Sequence, residues 1–310
     1  MKFAFRGDAW EFGDASPRAR VVGIVNVTPD SFFDGGRYAE PARAIDRALE
    51  LVAEGADSID VGAQSTRPGP AGGGAPATQV GAEEEWRRLE PVLAPLAERL
   101  ASRPAPSSHI PISVDTYHAS VARRALDAGA SIVNDVSGLT ADPGMARVVA
   151  EAGAGLVVMH ALGAPGGMHA PREYDDVGEA IWDFLAARVA EAVAAGVDPD
   201  SIALDPGIGF SKRADQSVAA LRALPRLTGL GRPLYIGVSR KSFLGQLTGR
   251  PVEERLAAGL GATIAAVALG ARIVRTHDVA ATRDALLAAE EVLYPEPRAG
   301  SRSEPETSRA

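Results

Sequence analysis

Acidic, amide and cationic side chains close a series of short apolar runs in this chain, and their types restrict what they can bind. Asp115 ends PISVDT, Asn134 and Asp135 end SIVNDVS, and Asp205 lies in IALDPG. Asn26, Asp60 and His160 end three further runs. Ser239, Arg240 and Lys241 follow another, and Arg275, His277 and Asp278 close the last. Residues two apart on a strand share a face, so Ser113 is expected to point with Asp115, Ser239 with Lys241, and Arg275 with His277. Gathered in one pocket, Asp and Asn offer the paired donor and acceptor pattern that a guanine- or pterin-like heterocycle requires. Lys, Arg, His and Asn suit a polyphosphate, arginine through its planar fork and lysine as a point charge. A nitrogen heterocycle joined to a phosphate group engages both halves.

Each residue alone has a plainer use. A single Asp or Asn at a strand end is more often a cap or turn former. Met159 reads as core, and His160 divides evenly between a satisfied structural role and a ligand-facing one. Glu83, Glu84 and Glu85 read as a solvated helix start favoured by the dipole. The weight lies in polar ends recurring in one register.

Those ends need a scaffold. Eight apolar runs, from VVGIVNV at Val21 to RIVRTHDV at Arg272, alternate with amphipathic or Ala-rich segments such as PARAIDRALELVAEG and RDALLAAEEVL. Runs without strict polar alternation indicate strands covered on both faces, as in a parallel sheet with helices outside. The expected fold is α/β, a (β/α)8 TIM barrel whose active face lies where strands end and their loops begin. An open doubly wound sheet is the structural alternative. Residues 1–20 are expected to form a hairpin extension closing the barrel floor, residues 21–294 the barrel, and residues 295–310 a disordered tail. The Gly- and Pro-rich stretch Pro68–Gln79 is expected to be a mobile loop on the active face.

Composition removes several function classes. A net charge of −8 argues against a nucleic-acid or anionic-membrane surface, which needs a basic patch. With no cysteine, neither a disulfide framework nor a thiolate metal site nor a cysteine nucleophile is available. Charges scattered through MKFAFRGDAWEFGD do not suit a signal peptide, so a cytoplasmic location is expected. The uncharged run Leu256–Ala271 is shorter than the roughly 20 residues of a spanning helix and is expected to be buried.

Longer strings carry a family resemblance. VVGIVNVTPDSFFDGG, IDVGAQSTRPG, ISVDT, IVNDVSG, VMH, LDPGIGF, GVSRKSFLG and RTHDV resemble, in order, the motifs of dihydropteroate synthases, over roughly Val21 to Leu293. The resemblance implies a transferase condensing a dihydropterin methyl diphosphate with 4-aminobenzoate, with Mg2+ as cofactor and a homodimer as the assembly. It implies that Asp115, Asn134 and Asp205 read the pterin edge and that Lys241 touches the ring. Asn26, Thr66, Arg275 and His277 would bind pyrophosphate, with Asn26 also at the metal. Asp34, Arg67, Pro68 and Ser242 would line the entry of 4-aminobenzoate. The catalytic group would be Lys241, Asp115, Asp205, Arg275 and His277. Ala63, Gln64 and Ala161 depart from the family's strings, which keeps two other readings in view: a catalytically silent pterin-binding paralogue, and a methyltetrahydrofolate-dependent methyltransferase.

Overall fold

Aromatic residues concentrated in the first twelve positions set the base of the molecule. Strands β1 (Lys2–Phe5) and β2 (Asp8–Glu11) pair as an antiparallel hairpin. Phe3, Phe5, Trp10 and Phe12 cluster with Val22, Ile132, Val157, Ala203, Tyr235 and Ile273. The Phe5 and Trp10 rings meet edge-on with centroids 5.3 Å apart. A glycine at position 155 is what admits the hairpin, since a Cβ there would stand 2.9 Å from Phe3 Cζ. The computed structural model describes residues 1–13, 18–27, 36–64, 80–103, 110–163, 167–168 and 170–293, with side chains in the first helix from residue 41.

Eight strands then alternate with helices: β3 (Arg20–Asn26), α1 (Gly36–Ala53), β4 (Ser58–Gly62), α2 (Ala82–Ala101), β5 (Ile112–Asp115), α3 (Ala119–Asp127), β6 (Ile132–Asp135), α4 (Met145–Ala152) and β7 (Gly155–Met159). There follow α5 (Val177–Ala194), β8 (Ile202–Asp205), α6 (Ala214–Arg222), α7 (Leu224–Leu227), β9 (Leu234–Gly237), α8 (Ser242–Thr248), α9 (Leu256–Ala268), β10 (Ala271–Thr276) and α10 (Val279–Leu293). The strands close in the order β10-β3-β4-β5-β6-β7-β8-β9. This is a TIM barrel, and the closing parallel pair of β10 and β3 excludes the open sheet.

Strand parity divides the side chains. Ile59, Val61, Val114, Leu156, Leu204 and Ile236 belong to the core shared with the helices. Their neighbours of opposite parity face the interior: Val22, Ile132, Val157, Ala203, Tyr235 and Ile273 at the base, and polar residues nearer the strand ends. Each aliphatic residue fully buried against the helices contributes about 1.5–3 kcal/mol, so the outer layer stabilises a barrel whose upper interior is polar.

Helix α9 differs from expectation. Its thirteen residues carry no charge, yet Leu256 is 42% exposed and Ala257, Gly261, Ala265 and Ala268 are also exposed. Only one face packs on the barrel, through Gly259, Thr263, Ala266 and Val267. Apolar composition signalled burial, but the helix needs only one stripe to dock.

Candidate active site

Three strand ends bring charge into the barrel and a fourth an amide. Asp60 on β4 and Asp115 on β5 both face inward, and Arg275 on β10 reaches across β3 to them. Its Nε lies 2.6 Å from Asp60 Oδ2 and one terminal nitrogen 2.9 Å from Asp115 Oδ2. Asn134 on β6 donates to the same Asp60 oxygen at 3.2 Å. Burial alone would weaken the basicity of Arg275, but the two carboxylates outweigh it and raise its pKa. Burial also pushes Asp115 up to about 7; Arg275 opposes this, while Asp60, Glu85 and Asp135 add to it. Ser113 shares the inward face with Asp115, and Ser113 Oγ, Asp60 Oδ1 and Tyr235 OH are buried without a protein hydrogen-bond partner.

A second group forms around the loop after β8. Asp205 is 5% exposed and accepts from the Gly207 amide at 2.7 Å. Burial raises its pKa, against the pull of Lys241 first and of Lys212 and Arg275 after it. Lys241 caps the N-terminus of α8, donates to the Ile208 carbonyl, and holds its Nζ 4.5 Å from the centroid of the Phe210 ring. Burial lowers Lys241 to about 8, with Asp205 opposing and Arg275 reinforcing. Apolar side chains stand beside these groups: Tyr117, Val136, Met159, Ala161, Met168 and Phe210 form one buried cluster at this end. Polar groups and an apolar cluster thus stand side by side at this end of the barrel.

The remaining candidates lie around the rim. Asn26 ends β3 beside Gly62 and is half-buried. His277 follows β10, with its Nδ1 3.0 Å from Ser239 Oγ. Ser242 is exposed at the start of α8. Asp34, Thr66, Arg67 and Pro68 lie outside the described residues, as do the loop at Pro68–Gln79 and the tail from residue 295.

Two expectations from parity fail for one reason. Strand β9 ends at Gly237 and Arg240 adopts a left-handed φ of 58°, so Ser239 and Lys241 sit on a turn and diverge. Ser239 turns to His277, whereas Lys241 crosses to Phe210. Strand β10 likewise ends at Thr276, which leaves His277 on the loop rather than on the strand face of Arg275.

Glu85 is a third correction. It is fully buried rather than solvated, with Gln64 Nε2 2.6 Å from its Oε2 and its Oε1 without a protein hydrogen-bond partner. Burial raises its pKa. Gln64 in turn accepts from Tyr117 OH at 2.7 Å. The amide at position 64 thus bridges a phenol and a carboxylate. Ala63 belongs to the helix-facing core, not to the apolar cluster at the strand ends.

Sequence reasoning assigned no role to Asp60, Phe210, Tyr235 or Lys212. Asp60 stood at a strand end, and its interior position follows from the same parity as Asp115. Lys212 lies past a turn, where parity says nothing, and is 5% exposed with its Nζ 2.8 Å from His160 Nδ1. His160 is 1% exposed, and burial together with Lys212 lowers its pKa to about 3.

Residues 22–277, from within the first barrel strand to just past the last, match the family described as "Pterin binding enzyme". This chain belongs to the pterin-binding enzyme family. It is similar to the dihydropteroate synthase of Synechocystis sp., at 44% identity over 269 residues that cover 86% of this chain and 88% of the relative. Among solved structures it is similar to Xanthomonas albilineans dihydropteroate synthase with 4-aminobenzoic acid, at 43% identity and a TM-score of 0.79, covering 89% of this chain and 93% of that one. The X. albilineans enzyme in complex with 7,8-dihydropteroate matches at 38% identity and a TM-score of 0.80, over 94% and 99% of the two chains. Asp115, Asn134, Asp205 and Lys241 all lie at the strand-end side of the barrel that the family match spans.

Proposed function

We propose that the protein is a dihydropteroate synthase, a transferase of folate biosynthesis that condenses (7,8-dihydropterin-6-yl)methyl diphosphate with 4-aminobenzoate. The products are 7,8-dihydropteroate and pyrophosphate. The observation that carries this reading is the placing of Asp115, Asn134, Asp205 and Lys241 at the strand-end side of the barrel, beside the buried cluster that holds Met159 and Phe210. Carboxylate, amide and ammonium match the alternating N–H and carbonyl edge of a pterin. The relatives named for 4-aminobenzoic acid and 7,8-dihydropteroate support both halves of the substrate pair.

In this mechanism the bond from the methylene carbon to the diphosphate oxygen breaks first, and the bonding pair leaves with pyrophosphate. The positive charge spreads into the pterin ring, where Asp115 and Asp205 stabilise it as buried carboxylates. The amine of 4-aminobenzoate then attacks the methylene carbon and loses a proton. Arg275, His277 and Asn26 stabilise charge on the departing diphosphate, an effect worth ~100-fold or more in rate per well-aimed donor. No protein nucleophile takes part.

Mg2+ is the proposed cofactor, with Asn26 as its protein ligand. Asn26, half-buried at the end of β3, would offer it a single amide oxygen, which suits a hard cation that needs few protein ligands. When bound, it supplies charge neutralisation at the diphosphate oxygens.

A cytoplasmic homodimer completes the reading. The uncharged exposed face of α9, with Leu256 at its start and Leu287 of α10 49% exposed, supports self-association. Among the described residues no helix is long and apolar enough to cross a membrane.

The features that suggested a silent paralogue have structural uses, since Gln64 bridges Glu85 and Tyr117 while Ala161 packs in the buried apolar cluster. The test follows pyrophosphate release from the pterin diphosphate with Mg2+, with and without 4-aminobenzoate. Release that depends on the aniline, and falls ~100-fold in Lys241→Ala but far less in Gln64→Ala, is expected. Aniline-independent release, tight pterin binding without turnover, methyl transfer from methyltetrahydrofolate, or equal effects of the two substitutions would refute it.

A further inference from the structure

Of the 32 lysine and arginine residues in this chain only three are lysines, Lys2, Lys212 and Lys241. Two of those three meet at one turn. Arginine serves almost everywhere a cation suffices, so lysine at position 212 points to a need for a compact donor with three hydrogens rather than a planar fork. Its Nζ has three acceptors to match: His160 Nδ1 at 2.8 Å, Gly207 O at 3.0 Å and Phe210 O at 3.1 Å.

Between those two carbonyls the turn faces the other way. The Ile208 carbonyl accepts from Lys241, and the Phe210 ring lies against the same ammonium. Gly207 has a φ of +66°, and a side chain there would collide with the His160 carbonyl. Gly209 has a φ of +79°, and its Cβ would stand 3.2 Å from Lys241 Cδ. Lys212 grips the turn from behind and Lys241 from the front.

We propose that Lys212 is a positioning residue of this site, fixing the Gly207–Phe210 turn as the seat of the Lys241 ammonium. The substrate that Lys241 meets is the one assigned above, and to that extent the inference rests on that assignment. Burial lowers Lys212 to about 7 against the pull of Asp205. A deprotonated amine has two hydrogens for three acceptors, so the grip is complete only while the proton is held.

The scarcity of lysine makes the test direct. Full-length protein labelled with 13C-lysine gives three Cε signals, and the Lys241 titration can be followed without substrate. In Lys212→Met the Lys241 midpoint is expected to rise by about one pH unit or more, because the amine leaves its seat and regains water and because the repulsion of the Lys212 charge is gone. In Lys212→Arg, which keeps that charge but not the compact three-hydrogen donor, a rise is still expected, and its absence overturns the proposal. The double variant Lys212→Met/His160→Leu removes the ring nitrogen left without its partner and regains thermal stability, but keeps the raised midpoint. Should the single variant not fold, the double variant carries the same comparison.

A midpoint within about 0.3 units of wild type in a folded variant overturns the proposal. Recovery of the wild-type midpoint in the double variant does the same, since that marks a purely structural role. In the active enzyme kcat/KM for the pterin diphosphate should fall about tenfold or more, and an unchanged value also overturns it. If wild-type protein releases no pyrophosphate, the proposed reaction fails, while the titration still judges Lys212.

Discussion

Arg275 and Asp60 are joined across the barrel interior, Nε to Oδ2 at 2.6 Å, although β10 and β4 are separated by β3. The same guanidinium holds Asp115. Removing the cation therefore leaves two carboxylates without their shared partner in the barrel interior. Arg275→Met is expected to lower unfolding stability by about 3–5 kcal/mol at neutral pH, the range for breaking one side of a buried ion pair. Urea denaturation measures this. A loss below that of Asp60→Asn would mean that Arg275 is not what makes the acids tolerable.

The titrating groups set a pH profile for the proposed reaction. Asp115 is pushed up to about 7 by burial and must be ionised to face a developing cation, so activity should rise through that value. Lys241, lowered to about 8 by burial, must keep its proton to donate, so activity should fall above it. A narrow bell in kcat/KM for the pterin diphosphate is expected, its limbs belonging to the coupled site rather than to single residues. A profile flat from pH 6 to 9, a range of about one unit beyond each limb, would rule out this assignment.

Stability follows the opposite sign for Asp115. Its folded pKa is raised, so the contribution is fully present below the ordinary carboxylate value of 3.8 and is lost as pH climbs to about 7. Asp115→Asn should flatten that segment of a stability curve measured by chemical denaturation. An unchanged slope across the window would show that Asp115 does not titrate there.

Ala161 has a packing reason. It is 2% exposed and shares its cluster with Met168, which is 1% exposed, so the cluster is already filled. Ala161→Met adds volume to a closed site and should lower stability by about 1–3 kcal/mol. A neutral melting temperature would indicate room in the cluster that the larger side chain can use.

Gln64→Glu would set a carboxylate where an amide now stands 2.6 Å from Glu85 Oε2. Glu85 is fully buried and already raised by burial, so two acids there should share one proton. The loss of stability should deepen as pH rises above the carboxylate range. Thermal melts of the variant at pH 5 and pH 8, about one and four units above an ordinary Glu value, should diverge more than those of wild type.

Eight apolar runs alternating with helical segments made the barrel legible, and parity then assigns the residues within each strand to its two faces. Parity brings Asp60 to the same inward face as Ser113 and Asp115, where Arg275 holds both acids. It failed beyond the strands, where the left-handed Arg240 redirected Ser239 and Lys241. Glu85 was hidden for another reason. Its own helix offers a solvated first turn, and only the arrival of Gln64 from beyond β4 closes it off. Lys212 was not singled out, because it lies past a turn where alternation gives no direction.

The hairpin at the base also bears on how the chain is made. Phe3, Phe5, Trp10 and Phe12 precede the barrel strands in the chain, but their docking surface includes Tyr235 and Ile273, from the last two strands of the barrel. The full surface exists only once those strands are made, and contacts so distant in sequence form slowly. Four aromatic rings therefore stay partly uncovered during synthesis until the barrel can close.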